Sequence, residues 1–242
     1  MKRNQAATPL DYLARKKQPQ DEAKQVNAPE SQLRFPEILY KYRSLFGDNF
    51  KFTQDIFLRR RLFLSSVWSL NDPGEGTAKS RFGTSSSNEF ITCFTTNENN
   101  SLMWAHYANA HRGICIGFRT AACAALRCAR PIIYQQALPT SDTSFVGRDD
   151  AIFLTKSADW KYEQEWRVIQ RARSHSRYIS LPRNSIALII VGVRITEDDV
   201  QWVQDWIRSF GGQITLLQAS FSNTTYDMTT EPYNPARFDP DD

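Results

Sequence analysis

Apolar and polar positions change period along this chain, and the changes mark out its elements. Ile38-Leu39-Tyr40-Lys41-Tyr42-Arg43 is rich in β-formers with partial alternation and predicts a first strand. From Asp48 to Arg60 the apolar residues Phe52, Ile56 and Phe57 fall at helical spacing. Leu62 to Ser66 predicts a second strand and Phe90 to Thr95 a third. Between them, Asn71-Asp72-Pro73-Gly74 is a turn signal, and the Gly, Ser and Thr-rich stretch 74–87 predicts a loop. Asn99-Asn100-Ser101 offers caps for a short helix over Leu102 to Ala110. Gly113 to Phe118 predicts a buried strand, Thr120 to Arg127 a helix, Pro131 to Tyr134 a strand, and Ala151 to Ser157 a helix. Tyr162 to Gln170 alternates as a strand, and Ser185 to Val193 is a nearly continuous β-branched run suited to a sheet centre. Thr196 caps a helix whose first turn holds Glu197, Asp198 and Asp199; it ends at Gly211-Gly212 before a last strand at Ile214 to Gln218.

Strict βα alternation is missing. The pattern predicts an α+β fold: one domain with a mixed, mainly antiparallel sheet flanked by helices. Residues 1–35 are rich in Gln, Lys, Ala and Pro and short of large apolar side chains, so they read as a flexible arm. The globular domain is expected over 36–222, and a polar tail over 223–242.

Composition narrows the classes. With 41% hydrophobic and 23% charged residues among 242, this is the balance of an ordinary soluble globule. A net charge of +4 falls short of a dedicated nucleic-acid binder. The basic run Arg59-Arg60-Arg61 still leaves nucleic acid open as a partner, against the plainer reading of a solvated strip. No run approaches the ~20 apolar residues of a membrane span, and no apolar segment follows the N-terminal Met1-Lys2-Arg3. The four cysteines (Cys93, Cys115, Cys123, Cys128) match neither a zinc knuckle nor a redox pair. These features predict a cytoplasmic protein without a membrane partner.

Several chemistries lack their motifs: no GxGxxG after a strand, no GxxxxGK[ST], no GxSxG, no HExxH. His106, His111 and His175 are not spaced to share a metal, and no metal is predicted. The remaining candidates are aromatic and charged clusters. On a strand, Glu163 and Glu165 lie roughly 7 Å apart on one face, with Arg167 beside them as a neutralising cation. That set is either a ligand-facing pair or an internal Glu–Arg–Glu brace. Lys41 and Arg43 alternate with Tyr40 and Tyr42 and suit a phosphate or ribose edge, or else a solvated strand face. Trp104 and Tyr107 share a helix face, flanking His106, and suit either a stacking wall for a base or a core position. A metal-dependent nuclease built from Asp72, Glu75, Glu163 and Glu165 is a further alternative, as is a non-catalytic nucleotide or nucleic-acid binding module.

In order along the chain, Leu39 to Leu45, Leu62 to Ser65, Leu70 to Glu75, Met103-Trp104-Ala105-His106-Tyr107, Gly113 to Phe118, Lys156-Ser157 and Trp160 to Arg167 resemble a mostly bacterial domain-of-unknown-function family, number 2971. The likeness spans about residues 38–195. A looser likeness is to the ADP-ribosyltransferase fold, with a cation on the first strand, a Ser on the second and a Glu on a late strand. That resemblance implies NAD as substrate, an unknown macromolecular target, and a role in defence or toxin chemistry. It implies Glu165 and Glu163 as catalytic residues. Lys41, Arg43, Ser65, Asn71, Trp104, His106 and Tyr107 would bind the dinucleotide. The Ser65-Ser66 pair and the Trp166-Arg167 that follows the glutamate depart from that fold's usual pattern.

Overall fold

A computed structural model describes residues 34–72, 74–75, 89–137, 153–171 and 176–238. The chain divides into two units, 1–36 and 37–242, and only 34–36 of the first are described. The expected arm (residues 1–33 of it), His175 and most of the expected 74–87 loop lie outside the described residues.

The second unit is α+β, with a mainly antiparallel sheet. Its strands are β1 (Ile38–Arg43), β2 (Arg61–Phe63), β3 (Ser65–Ser66), β4 (Glu89–Thr95), β5 (Ile114–Arg119), β6 (Arg130–Pro131), β7 (Ile133–Gln135), β8 (Thr155–Ser157), β9 (Glu165–Arg171), β10 (Tyr178–Ser180), β11 (Ile186–Val191), β12 (Thr215–Phe221) and β13 (Met228–Pro232). Among the described residues, α-helices with both ends defined are α1 (Asn49–Leu58), α2 (Ser101–Tyr107) and α3 (Glu197–Phe210). The main sheet runs β13-β12-β11-β5-β1-β4-β9-β6, and β3 adds to β4. Among the described residues, only β11 and β12 run parallel within it, joined through α3. Two small pairs, β10 with β2 and β7 with β8, stand apart.

The caps read from the sequence form. The Asn100 side chain accepts hydrogen bonds from the Leu102 and Met103 amides, and Thr196 accepts one from Asp199. The buried face of α3 (Val200, Val203, Trp206, Phe210) packs with Ile56 and Phe57 of α1 over β1, β5 and β11. Phe57 stacks on Trp206 with ring centroids 5.4 Å apart.

Four expectations change. The helix expected at Ala151 to Ser157 is, over Thr155–Ser157, the strand β8, whose three polar residues pair in parallel with β7. The helix expected at Thr120 to Arg127 is two 3-10 turns, Thr120–Ala122 and Leu126–Cys128. Tyr162 to Gln164 is not strand: Glu163 ends a 3-10 turn from Ala158 and Gln164 is left-handed, so β9 begins at Glu165. Finally, the segment from Asn223, expected as a tail, supplies β13, which pairs with β12 through Ser220 Oγ and Thr229 Oγ1 as well as through its backbone.

One irregularity positions the site. β1 pairs with β5 through six residue pairs, but with β4 only through Tyr40 and Thr95. Beyond that point the two strands part and the sheet opens between them.

Candidate functional site

The opening between β1 and β4 leads into a cavity of about 480 Å³. Side chains alternate along a strand, so Leu39, Lys41 and Arg43 leave one face of β1 while Tyr40 and Tyr42 leave the other. Tyr40 registers with Thr95, and Thr95 with Glu165, so Glu165 belongs to the face opposite Lys41. In a closed sheet these two groups could not meet. Here both line the same cavity, because the parted strands connect the two faces.

Lys41 reaches across the gap and donates to the Cys93 carbonyl oxygen at 2.8 Å, with its ammonium 5.3 Å from the centre of the Phe94 ring. Burial, reinforced by Arg43, lowers its pKa to about 8. Arg43 donates to Thr53 Oγ1 at 3.1 Å and to the Asn49 carbonyl at 3.3 Å, which ties the cationic end to the first turns of α1. Burial brings its pKa down to about 10.

At the acidic end, Arg167 is almost fully buried and grips Glu165 with two hydrogen bonds, Nε to Oε1 at 2.6 Å and Nη2 to Oε2 at 2.9 Å. Its Nη1 donates to Glu75 Oε2 at 2.5 Å and to the Phe153 carbonyl at 2.8 Å. Such two-pronged pairing fixes the carboxylate plane as well as its charge. Lys156 on β8 donates to Glu163 Oε2 at 2.5 Å and to Glu165 Oε2 at 3.3 Å. The Tyr107 hydroxyl donates to Glu163 Oε1 at 2.6 Å, and the Glu165 amide donates to the Tyr134 hydroxyl at 2.8 Å.

These partners separate the two carboxylates. Burial alone would raise the Glu165 carboxyl, but Arg167 and Lys156 hold it at about 2, so it is ionised at neutral pH. For Glu163 burial prevails over Lys156, and its pKa rises above the ordinary value. Groups pushed apart in this way mark sites where charge and protons are handled.

At one side of the cavity, His106 lies near Trp160 and Tyr162, with ring centroids 6.4 Å and 6.2 Å away. The Trp160 ring also covers Lys156, its centre 4.7 Å from Nζ.

The structure brings together Lys41, Arg43, Ser65, Asn71, His106, Tyr107, Glu163 and Glu165 around this cavity. It does not bring Trp104. That indole is fully buried, donates to the Glu98 carbonyl at 3.0 Å and meets Tyr42 edge-on at 5.0 Å. Trp104 and Tyr107 do lie on neighbouring turns of α2, but the inward side of that face is core, so only Tyr107 reaches the cavity. Sequence reasoning gave Lys156 no role, since a lone lysine in a Thr-Lys-Ser run carries no signal of burial. The Arg59–Arg61 run is engaged locally: Arg59 and Arg61 both pair with Asp55, at 3.4 Å and 2.7 Å, and Arg60 lies over Phe210. Among the described residues, no group of three or more His, Cys, Asp or Glu side chains is arranged to hold a metal ion. No helix among them is long and apolar enough to cross a membrane.

No curated protein and no solved structure matches the chain. Residues 103–168 match the family model described as "Protein of unknown function (DUF2971)", a span that holds α2 from Met103 on, Lys156, Glu163, Glu165 and Arg167 but not Lys41, Arg43, Ser65 or Asn71.

Proposed function

We propose that this protein is an NAD-using enzyme of the ADP-ribosyltransferase type. The observation that carries the reading is that Arg43, Ser65 and Glu165, from three separate strands, line one cavity that no Rossmann motif serves. The cavity is bipolar. Lys41 and Arg43 suit a diphosphate at one end, and the carboxylates suit a pentose and a developing positive charge at the other. At about 480 Å³ the cavity falls within the ~300–1,000 Å³ common for small-ligand sites.

In this reading Arg43 and Lys41 hold the diphosphate, and His106 and Tyr107 border the nicotinamide ring. Ser65 and Asn71 hold ribose hydroxyls. The bond between the ribose anomeric carbon and the nicotinamide nitrogen breaks, its electron pair leaving with the now neutral nicotinamide. The sugar then carries the positive charge, and a carboxylate already ionised and fixed by Arg167 stabilises it without reorganising. Glu165 meets that requirement. An acceptor atom closes on the anomeric carbon and gives up its proton, either on a macromolecular target or as water.

The test is to incubate the full chain with nicotinamide-labelled NAD and follow release of the label. Glu165→Gln is expected to lower the rate by at least about 100-fold. Thermal unfolding would first show that the variant folds. No release by the wild-type protein with water or with any candidate target, or an unchanged rate in the variant, rejects the reading.

A further inference from the structure

Three glutamates meet at the acidic end of the cavity, and their oxygens are not equally occupied. Both Glu165 oxygens accept from Arg167, at 2.6 Å and 2.9 Å. Both Glu163 oxygens are taken, by Tyr107 at 2.6 Å and Lys156 at 2.5 Å. Glu75 Oε2 accepts from Arg167 at 2.5 Å. Glu75 Oε1 accepts no hydrogen bond among the described residues; the Lys156 ammonium stands 3.8 Å away, close enough for attraction only. Glu75 is 7% exposed and lines the cavity. A buried oxygen without a donor is costly to keep, and more so when charged. Its approach is fixed by a local turn: the Gly74 amide donates to Asp72 Oδ1 at 2.8 Å, and the Glu75 amide to the Asp72 carbonyl at 3.2 Å.

We infer that Glu75 Oε1 is the proton-accepting position of this site, acting as general base toward the acceptor nucleophile. Glu165 supplies the fixed charge and Glu163 positions Lys156 and Tyr107. A base needs an uncommitted lone pair at the cavity wall; Glu75 lines that wall, and its Oε1, itself buried, is the one carboxylate oxygen of the three residues that accepts no hydrogen bond among the described residues. The kind of substrate rests on the ADP-ribosyl reading; the place of the proton does not. In that reaction, the acceptor's hydrogen passes to Glu75 Oε1 as the acceptor's electron pair bonds to the anomeric carbon. The electrons of the broken bond leave on nicotinamide. The groups facing Glu75 are Arg167 and Glu165 from β9 and Lys156 from β8. Burial raises the Glu75 carboxyl, with Arg167 and Lys156 opposing, which moves it toward the neutral range where a base is most effective.

Two measurements on the full chain test this. The first is carbon NMR of protein labelled at the glutamate carboxyls, wild type against Glu75→Gln. The resonance missing from the variant should titrate above the ordinary glutamate value of roughly 4.3. Titration at or below that value overturns the inference, whether or not the protein is an enzyme. The second is the pH profile of nicotinamide release. Glu75→Gln should lower the rate by about 10²–10⁴-fold and abolish the acid limb. Affinity for ADP-ribose should change by less than about threefold. A variant that keeps both rate and limb overturns the inference. If the wild type releases no nicotinamide, the ADP-ribosyl reading fails and the carboxyl titration alone decides on Glu75. Should Glu75→Gln not fold, Glu75→Asp takes its place. It should be slower yet retain the acid limb, and loss of that limb would count against the inference.

Discussion

The two sides of β1 are built differently. Toward β5 and β11 the pairing is continuous, and the side chains there (Ile114, Ile116, Phe118, Ile189, Val191) are fully buried and apolar. Toward β4 the pairing stops after one residue pair, and the space beyond fills with ionised groups. Apolar burial on the first side stabilises the fold with little demand on geometry. On the second side, burying Lys156, Arg167 and three glutamates costs several kcal/mol per ion before their mutual attraction is counted. An apolar filling of similar volume is often neutral or better. A strand that packs well on one side and tolerates that cost on the other divides labour: one side holds the fold, and the other holds charges in place.

The largest expected effect tests whether the charged side depends on Arg167. Arg167→Leu would leave Glu75 and Glu165 buried with only Lys156 beside them, in place of the guanidinium that hydrogen-bonds both. The expected loss is about 3–5 kcal/mol at neutral pH, measured by urea unfolding. The gap to wild type should narrow on acidification. The Glu165 stabilisation, present above the ordinary carboxyl value of 4.5, is lost in the wild type as pH falls toward about 2, whereas the variant has none to lose. A loss below about 1 kcal/mol would mean that the carboxylates are not held by this cation.

The apolar side has its own sensitive point, where two turns cross. A Cβ at Gly192 would lie 2.1 Å from the His111 carbonyl oxygen, and the Gly192 amide donates to the Gly113 carbonyl at 2.9 Å. Backbone cannot yield as a flexible side chain would. Gly192→Ala should therefore cost about 3 kcal/mol by the same measurement. It should leave the cavity's charges undisturbed, so its effect should lack the acid dependence expected of Arg167→Leu.

The two sides also differ in how legible they are in the sequence. The apolar side announces itself: the β-branched run ending at Val191, the Thr196 cap and the periodic face of α3 each have a local cause, and each forms. On the charged side, Lys41, Arg43, Glu163 and Glu165 stand out as residue types, but their meeting does not follow from local pattern. Strand alternation puts Glu163 and Glu165 on a shared face. The structure instead ends a 3-10 turn at Glu163 and passes through left-handed Gln164, and Lys156 gathers the two carboxylates. The parting of β1 from β4, which lets opposite faces share a cavity, is a long-range property of sheet register. Glu75 was visible in the sequence as a candidate metal ligand beside a turn, not as a partner of Arg167. That its Oε1 accepts no hydrogen bond depends on Arg167, ninety-two positions away, engaging the other oxygen. Trp104 misled for the converse reason: an aromatic residue beside a histidine suggests stacking, but helix geometry turned it into the core.

The smallest effect concerns Lys41, the group that bridges the opening. Its folded pKa of about 8 lies below the ordinary lysine value of 10.5, because burial and Arg43 disfavour the ammonium. Between those values the unfolded chain binds more protons than the folded one, so stability rises with pH across that window and the penalty is complete below it. Lys41→Met removes the titration. Wild type should therefore gain stability relative to Lys41→Met as pH rises from about 8 to 10.5. Lys41 keeps a partly exposed edge on the cavity, and water there screens part of the effect. An anion seated against Lys41 and Arg43 would favour the ammonium again. Repeating the comparison with saturating ADP-ribose should shift the window upward. A window that does not move with the ligand would place the diphosphate away from β1 and leave Lys41 as a bridge across the gap alone.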